Sequence, residues 1–200
     1  MTAPSDGTGP GRISRREVHR GRVVELSIDT VRFPGGGTGE LELIRHPGAS
    51  AVVPFLDAPE EADPRIVLVH QYRYATGGVI WEVPAGMPDS PEEGWEACAR
   101  RELAEETGFL AGAMHYMTRI YTTPGFTDEV IHLFAATDLR EGSVARDQDE
   151  FMEVIPVHLS RALRMIRDGD LVDGKSVAAL LVAASFLRDI GMEGRAVPFR

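Results

Sequence analysis

Three glutamates stand close together in the segment RRELAEETGF, residues 100–109. Glu105 and Glu106 follow Glu102 by three and four residues, a spacing that places side chains on one face of an α-helix. Like charges at this spacing repel by about 0.2–0.5 kcal/mol per pair. Three carboxylates on one face also form a group of hard oxygen ligands suited to Mg²⁺ or Mn²⁺. The segment alone therefore leaves two interpretations open, a solvated acidic face partly neutralised by the two preceding arginines, or a metal site.

Residues on both sides of the glutamates decide between these interpretations. Arg101 directly precedes the first glutamate, seven residues separate it from Glu93, Gly86 stands further upstream, and Gly108 follows the last glutamate by two residues. This order resembles the signature of the Nudix hydrolases, the Nudix box, which also ends in an apolar residue. The signature specifies the residue type at seven positions, and each type occurs by chance at roughly one position in fifteen. All seven would therefore match by chance at only about one alignment position in 10⁸. The resemblance favours the metal site.

One spacing in the segment differs from the family pattern. Six residues separate Gly86 from Glu93, where the pattern has five, and counting five leads to Glu92 instead. We favour a one-residue insertion in the loop MPDSPE, because the spacing along the helix must be kept and a loop can absorb an extra residue.

The resemblance implies a loop, helix and loop that hold a divalent cation against a diphosphate. By position, Glu102 and Glu106 match the principal metal ligands, and Glu105 is a candidate for a further ligand, a catalytic group or the partner of an arginine. The main-chain carbonyl of Ala85 matches a ligand of the ADP-ribose pyrophosphatases. The expected cofactor is Mg²⁺, with Mn²⁺ as a substitute, and the expected reaction is hydrolysis of a nucleoside diphosphate linked to another group.

Segments outside the Nudix box resemble one subfamily, the ADP-ribose pyrophosphatases. The segment HQYRYATGGVIWEVPAG has a Gln-aromatic-Arg run before a Glu-x-Pro-Ala-Gly turn, and Pro124 stands in YTTPGFTDE, where a proline marks the subfamily. The resemblance implies that Arg73 contacts the diphosphate and that Glu82 helps to hold substrate or metal. It also places Gly125 and Glu129 at substrate-binding positions, the second of them against a ribose. The expected products are AMP and ribose 5-phosphate.

Two other functions stay open at this point. A hydrolase of another nucleoside diphosphate sugar, such as GDP-mannose, would keep the chemistry and change the substrate. A sensor that binds ADP-ribose without hydrolysing it would usually lack some of the box glutamates, and this chain keeps all three.

Composition limits the class of protein. The chain has 200 residues, of which 43% are hydrophobic and 26% charged, as expected of a soluble globular protein. The net charge of −10 argues against binding to nucleic acid. The longest apolar run, VAALLVAASFL, is too short to span a bilayer, and the single cysteine, Cys98, is typical of a cytoplasmic protein.

Apolar periodicity predicts strands on both sides of the glutamate helix and two further helices near the C-terminus. This order predicts an α/β (α+β) fold with a mixed sheet and helices on both faces. The resemblance implies an α/β/α sandwich with an added N-terminal β-hairpin or small antiparallel sheet. The predicted segments are a disordered leader (1–14), an N-terminal hairpin region (15–47), a Nudix hydrolase domain (48–192) and a C-terminal tail (193–200). The resemblance also implies a homodimer, in which the hairpin region lies across the partner and contributes to its substrate site.

The glutamate helix carries its own start and stop signals. Ser90 is predicted to be its N-cap, with Pro91 in the first turn and Glu93 completing a capping box. Gly108 lies just past the last residue of the apolar pattern, where a C-cap glycine is expected.

The loop RDQDEFMEV, residues 146–154, is the predicted source of the catalytic base. In related enzymes a glutamate on a loop before a late strand activates the attacking water. Alignment on EFMEV selects Glu150, with Asp149 and Glu153 as alternatives. A solvated acidic loop without catalytic function is the other interpretation.

Replacement of Glu150 by glutamine is expected to lower kcat by a factor of about 10²–10⁴, which is the contribution of a general base. Metal binding is expected to change little, because the predicted ligands lie elsewhere. Steady-state kinetics and a metal titration on the same preparation measure the two effects, and turnover close to wild type would contradict the assignment.

Overall fold

The computed structural model describes residues 9–142 and 152–193. Within them the chain forms strands and helices in the following order: β1 (Gly11–Arg20), β2 (Glu25–Arg32), β3 (Thr38–Arg45), β4 (Ala49–Pro54), β5 (Arg65–Arg73), β6 (Gly78–Glu82), β7 (Ala85–Gly86), α1 (Trp95–Thr107), β8 (Phe109–Tyr121), β9 (Val130–Glu141), β10 (Met152–His158), α2 (Leu159–Asp168) and α3 (Gly174–Glu193). The chain divides into two compact units. The first contains residues 1–47 and 121–129, and the second contains residues 48–120 and 130–200.

The first unit contains an antiparallel sheet in the order β1-β2-β3. Strand β1 begins at Gly11, inside the segment predicted as a leader. Its sequence, GRISRREVHR, has no apolar alternation, so periodicity does not reveal it as a strand. Pairing with β2 stabilises it, together with the ion pairs of Arg12 and Arg15 with the buried Asp29, at 4.0 and 3.3 Å.

The second unit contains two sheets. In the four-stranded sheet, with the order β7-β4-β9-β8, β4 runs parallel to β9 and antiparallel to β7. The three-stranded sheet, with the order β10-β5-β6, is antiparallel. The mixed sheet predicted from the sequence is therefore present.

Helices cover both faces of strand β4, which is buried along its whole length. Val52 packs in one apolar cluster with Ala99 and Leu103 of α1, whereas Val53 packs in another with Ala162 of α2 and Leu180 of α3. Successive side chains of a strand point to opposite faces, so the two clusters lie on the two sides of the sheet. This layering fixes α1 against β4 and confirms the predicted α/β architecture.

The start of α1 differs from the prediction, and its end agrees with it. The helix begins at Trp95 with Gly94 as N-cap, so the capping box expected at Ser90 and Glu93 is not formed. The Glu93 carboxylate instead accepts hydrogen bonds from the Asp89 main-chain N–H and from an arginine of α1. Gly108 closes the helix with a left-handed φ of 77° and donates its N–H to the Ala104 carbonyl, as predicted.

Within the part of the chain that the structure describes, no helix is long and apolar enough to cross a membrane. Cys98 is fully buried on α1, and burial raises the pKa of its thiol. A thiol in such surroundings is a small packing residue rather than a nucleophile, as expected from its place in a helical pattern.

Candidate active site

Two of the three glutamates on α1 are directed at the short strand β7. Glu106 is 6% exposed, and its Oε2 accepts a hydrogen bond of 3.1 Å from the Ala85 main-chain N–H. Glu102 lies over Gly86 so closely that a Cβ atom on that glycine would be 2.0 Å from Glu102 Oε1. A side chain at Gly86 would therefore displace the Glu102 carboxylate from this position. The helix and the Pro-Ala-Gly turn form one site.

Arg101 joins these carboxylates to the loop before the helix. Its guanidinium donates to Glu93 at 3.1 Å, to Glu102 at 2.8 Å and to Glu105 at 2.9 Å, and also to the main-chain carbonyl of Met87 at 2.8 Å. The Arg101 side chain is only 20% exposed. A partly buried guanidinium with this many charged acceptors offsets the repulsion among the glutamates.

The Arg101 contacts also show which glutamate, Glu92 or Glu93, occupies the first glutamate position of the box, where the spacing from Gly86 is one residue longer than in the family pattern. Arg101 pairs with Glu93 through both carboxylate oxygens, whereas Glu92 is exposed. Hydrogen bonds from Arg101 and from the Asp89 main chain hold the pKa of Glu93 below its usual value. The extra residue is therefore accommodated in the loop, and the glutamate nearer the helix contacts the arginine.

The pKa of Glu102 is shifted in the opposite direction from that of Glu93. Burial raises the pKa of Glu102, and the charge of Glu105 adds to this effect, against the opposing hydrogen bond of Arg101. A nearby cation would favour the charged form. The Glu102 carboxylate is therefore placed where a bound metal ion would relieve its unfavourable environment.

A second cluster of charges surrounds Glu82 at the end of β6. This carboxylate is 1% exposed and accepts two hydrogen bonds from Arg73, Nε to Oε1 at 2.7 Å and Nη2 to Oε2 at 2.8 Å. The ammonium group of Lys175 also donates to Glu82. Burial acts to raise the pKa of Glu82, but the hydrogen bonds and charges of Arg73 and Lys175 outweigh it, so that the pKa is lowered and Glu82 is ionised.

The sequence analysis did not identify Lys175 and its neighbours. At the start of α3 the Asp173 carboxylate accepts hydrogen bonds from Lys175 Nζ and from the Ser176 main-chain N–H, each at 3.0 Å. The Ser176 hydroxyl in turn accepts a hydrogen bond of 2.8 Å from the main-chain N–H of Val83, next to Glu82. An aspartate at the start of a helix is an N-cap signal, but the contact of Lys175 with Glu82 spans 93 positions and has no local signal.

Gln71 is a further polar residue that the sequence analysis did not assign to the site. It lies two residues before Arg73 on β5, and therefore on the same face of the strand. Its side-chain Oε1 is buried and has no hydrogen-bond partner among the described residues. An unsatisfied buried acceptor costs about 1–3 kcal/mol, and a bound group with an N–H or O–H would remove that cost.

Glu106 connects the two clusters electrostatically. The pKa of Arg73 is raised by its hydrogen bonds to Glu82, by the charge of Glu82 and by the charge of Glu106. The charge of the carboxylate that contacts the Ala85 main chain therefore also acts on the arginine predicted to contact a diphosphate. Anionic and cationic groups face one another here, as a phosphate ester bound through a metal ion requires.

The donor set fits a hard divalent cation. Among residues 9–142 and 152–193, no group of three His, Cys, Asp or Glu side chains lies close enough together to hold a metal ion. Glu102 and Glu106 nevertheless both lie against β7, and carboxylate and main-chain carbonyl oxygens are the ligands that Mg²⁺ prefers. The side chain of Glu105 is 48% exposed and pairs with Arg101 at 2.9 Å.

The remaining predicted residues are in the first unit or beyond the described residues. Gly125 and Glu129 belong to the first unit, where the Glu129 carboxylate accepts a hydrogen bond of 2.8 Å from the Thr122 hydroxyl and lies 3.3 Å from Nδ1 of His46. Glu150 lies outside the described residues, as does its alternative Asp149.

Comparison with known proteins relates this site to a family. Residues 45–179 match the family model described as the NUDIX domain. A methanol dehydrogenase activator of Bacillus methanolicus is 38% identical over 170 residues, which cover 84% of this chain and 89% of that protein. An ADP-ribose pyrophosphatase of Bacillus subtilis is 36% identical over 170 residues, with coverage of 84% and 89%. The crystal structure of an ADP compounds hydrolase shares the fold, with a TM-score of 0.78, 22% identity, and coverage of 94% of this chain and 99% of that chain.

Proposed function

The chain belongs to the Nudix family, and on that premise we propose that it hydrolyses the diphosphate bond of ADP-ribose to AMP and ribose 5-phosphate. The family predicted from the spacing of the glutamates is thereby confirmed. The name of the Bacillus subtilis relative supports this substrate, as do the Gln-aromatic-Arg and Pro-Ala-Gly segments around the box. The observation that carries the proposal is the contact of Glu106 with the Ala85 main chain, in the turn that directly follows Glu82, the partner of Arg73.

Glu102, Glu106 and the main-chain carbonyl of Ala85 are the proposed ligands of a divalent cation. Nudix hydrolases generally depend on such a cation, and Mg²⁺ is proposed here because every donor is a hard oxygen. When bound, the cation would neutralise phosphate charge and lower the pKa of a coordinated water. Arg101 would hold Glu102 in place and prevent the acidic face from repelling the substrate.

Arg73 is the proposed contact to the diphosphate. Two of its nitrogens, Nε and Nη2, bind Glu82 and fix the plane of the guanidinium. Nη1 makes no hydrogen bond to another described residue, and the Arg73 side chain is 40% exposed, so this nitrogen can donate to a phosphate oxygen. Lys175 would hold Glu82 from its other side and keep it ionised. Glu82 is therefore proposed as a positioning residue.

Glu150 remains the proposed base, with Glu105 as a further candidate for a catalytic role. Strand β10 pairs antiparallel to β5 with Met152 opposite Gln71. The chain therefore enters β10 at the end of β5 that carries Arg73. This connection supports a base on the preceding loop, since such a base must reach a water beside the diphosphate.

Hydrolysis assays with ADP-ribose, GDP-mannose and dinucleotide polyphosphates test the proposed function. ADP-ribose is expected to be cleaved to AMP and ribose 5-phosphate only when Mg²⁺ is present. Glu106→Gln should lower kcat by about 10²-fold or more, the typical loss when an electrostatic contact to the transition state is removed. Glu96→Gln, the same substitution at an exposed position of α1, is the matched control and should leave kcat unchanged. Preferential cleavage of GDP-mannose would support the alternative substrate, and absence of turnover on every compound would support the sensor.

We also propose that the enzyme is a cytoplasmic homodimer. All residues of β1 are exposed although they form a strand, and the first unit exposes large apolar side chains such as Ile13, Leu41 and Phe126. Exposed apolar side chains on an exposed strand are typical of a surface that a partner covers. The cytoplasmic assignment rests on the single cysteine.

Analytical ultracentrifugation at micromolar concentration is expected to give the mass of a dimer. Deletion of residues 1–47 should shift the protein to a monomer and reduce its activity, because the resemblance places this segment in the partner's substrate site. A full-length monomer with full activity would contradict the dimer.

A further inference from the structure

A cavity of about 450 Å³ lies beside α2 and strands β5 and β6, on the face of the sheet opposite Arg73. Val69 and Glu82 are paired across the two strands, and His70 and Trp81 form the next pair. Side chains alternate between the faces of a sheet. The pair of His70 and Trp81 therefore points away from the face that carries Glu82, and the cavity is separate from the proposed hydrolytic site.

Aromatic rings form one wall of this cavity. The rings of His70 and Trp81 stack with their centroids 4.4 Å apart at an angle of 20°, and both side chains line the cavity. Val79, which is 50% exposed, and the buried Met165 extend the apolar part of the wall. Such a wall suits a planar ring, since offset stacking and a polarisable thioether both favour aromatic ligands.

Two arginines of α2 line the same cavity. Arg161 and Arg164 are three residues apart and exposed, so their charges repel along the helix. Arg164 donates to the Ser160 hydroxyl at 3.2 Å, and Arg161 makes no hydrogen bond or ion pair to another described residue. Guanidinium groups so placed can each donate to an anion, and phosphate is one of the two anions, with carboxylate, that their planar donor geometry suits.

Two carboxylates complete the lining beyond the end of α2. Asp168 and Asp170 flank Gly169, the C-cap of the helix. Asp168 is paired with Arg167 at 3.0 Å, and that arginine does not line the cavity. The carboxylates accept hydrogen bonds, so they suit hydroxyl or amino groups of a ligand and would repel a second phosphate.

From these walls we propose that the cavity binds a nucleoside monophosphate at a site distinct from the site of hydrolysis. The base would stack on the wall of Trp81 and His70, the phosphate would bind Arg161 and Arg164, and the carboxylates would accept from the sugar or base. The volume falls within the range of about 300–1,000 Å³ typical of small-molecule sites. A monophosphate fits better than a diphosphate, because the arginines are balanced by two carboxylates.

Isothermal titration with AMP in the presence of EDTA tests this site. Arg73→Ala removes the proposed phosphate contact of the hydrolytic site, and this variant is still expected to bind one AMP per chain. Adding Arg161→Ala and Arg164→Ala should weaken that binding by about tenfold or more, the typical effect of losing hydrogen bonds to a charged group. Adenosine and inorganic phosphate, titrated separately, should each bind more weakly than AMP.

The matched control is a triple variant that combines Arg119→Ala and Arg140→Ala with Arg73→Ala. It also loses two arginine charges beyond Arg73, but from exposed positions on β8 and β9. It should bind AMP as tightly as Arg73→Ala alone, and thermal melts verify that each variant is folded. Absence of AMP binding to folded Arg73→Ala, or equal affinities in the two triple variants, would overturn the proposal. If inorganic phosphate bound as tightly as AMP, the cavity would recognise only the anion and not the nucleoside. That result would also overturn the proposal. No hydrolysis is measured, so failure here is distinct from failure of the proposed function.

Discussion

The Arg101 guanidinium is the interaction on which the rest of the site depends. It binds Glu93 in the loop before α1 and both Glu102 and Glu105 on the helix itself. Without it, the glutamates of the acidic face would repel one another, and the burial of the Glu102 charge would be uncompensated. With it, the loop and the helix become one rigid unit, and the carboxylates are held in place before any cation binds. Such preorganisation is what a metal-dependent hydrolase requires.

The fold places this unit against the cationic half of the site. Packing of α1 on β4 brings Glu102 and Glu106 to β7, which pairs with the same strand. The neighbouring sheet carries Arg73 and Glu82, held from the start of α3 by Lys175. Arg73 and Lys175 are balanced by Glu82 and Asp173, whereas Arg101 faces several carboxylates and leaves the α1 half with a net negative charge that a cation would offset. A diphosphate and its cation fit such a surface because they also combine both signs.

The sequence predicts those parts of this arrangement that depend on local spacing. The interval between Glu102 and Glu106 is enough to place them on one helical face, and Gly108 marks the end of the helix by its left-handed conformation. Contacts between distant residues have no such signal, as Lys175 with Glu82 shows. Strand β1 was missed for the same reason, since its pairing with β2, and not its own periodicity, makes it a strand. The start of α1 was predicted too early. The Glu93 carboxylate, which the predicted capping box would use, is bound by Arg101 instead.

The central claim is that the acidic face of α1, together with the Pro-Ala-Gly turn, is a metal site. Anomalous diffraction from crystals grown with Mn²⁺ and a non-hydrolysable ADP-ribose analogue tests it most directly. The account predicts a manganese peak bound by the carboxylates of Glu102 and Glu106 and by the carbonyl oxygen of Ala85. A fully occupied metal position elsewhere, with no metal bound by Glu102 or Glu106, would contradict it.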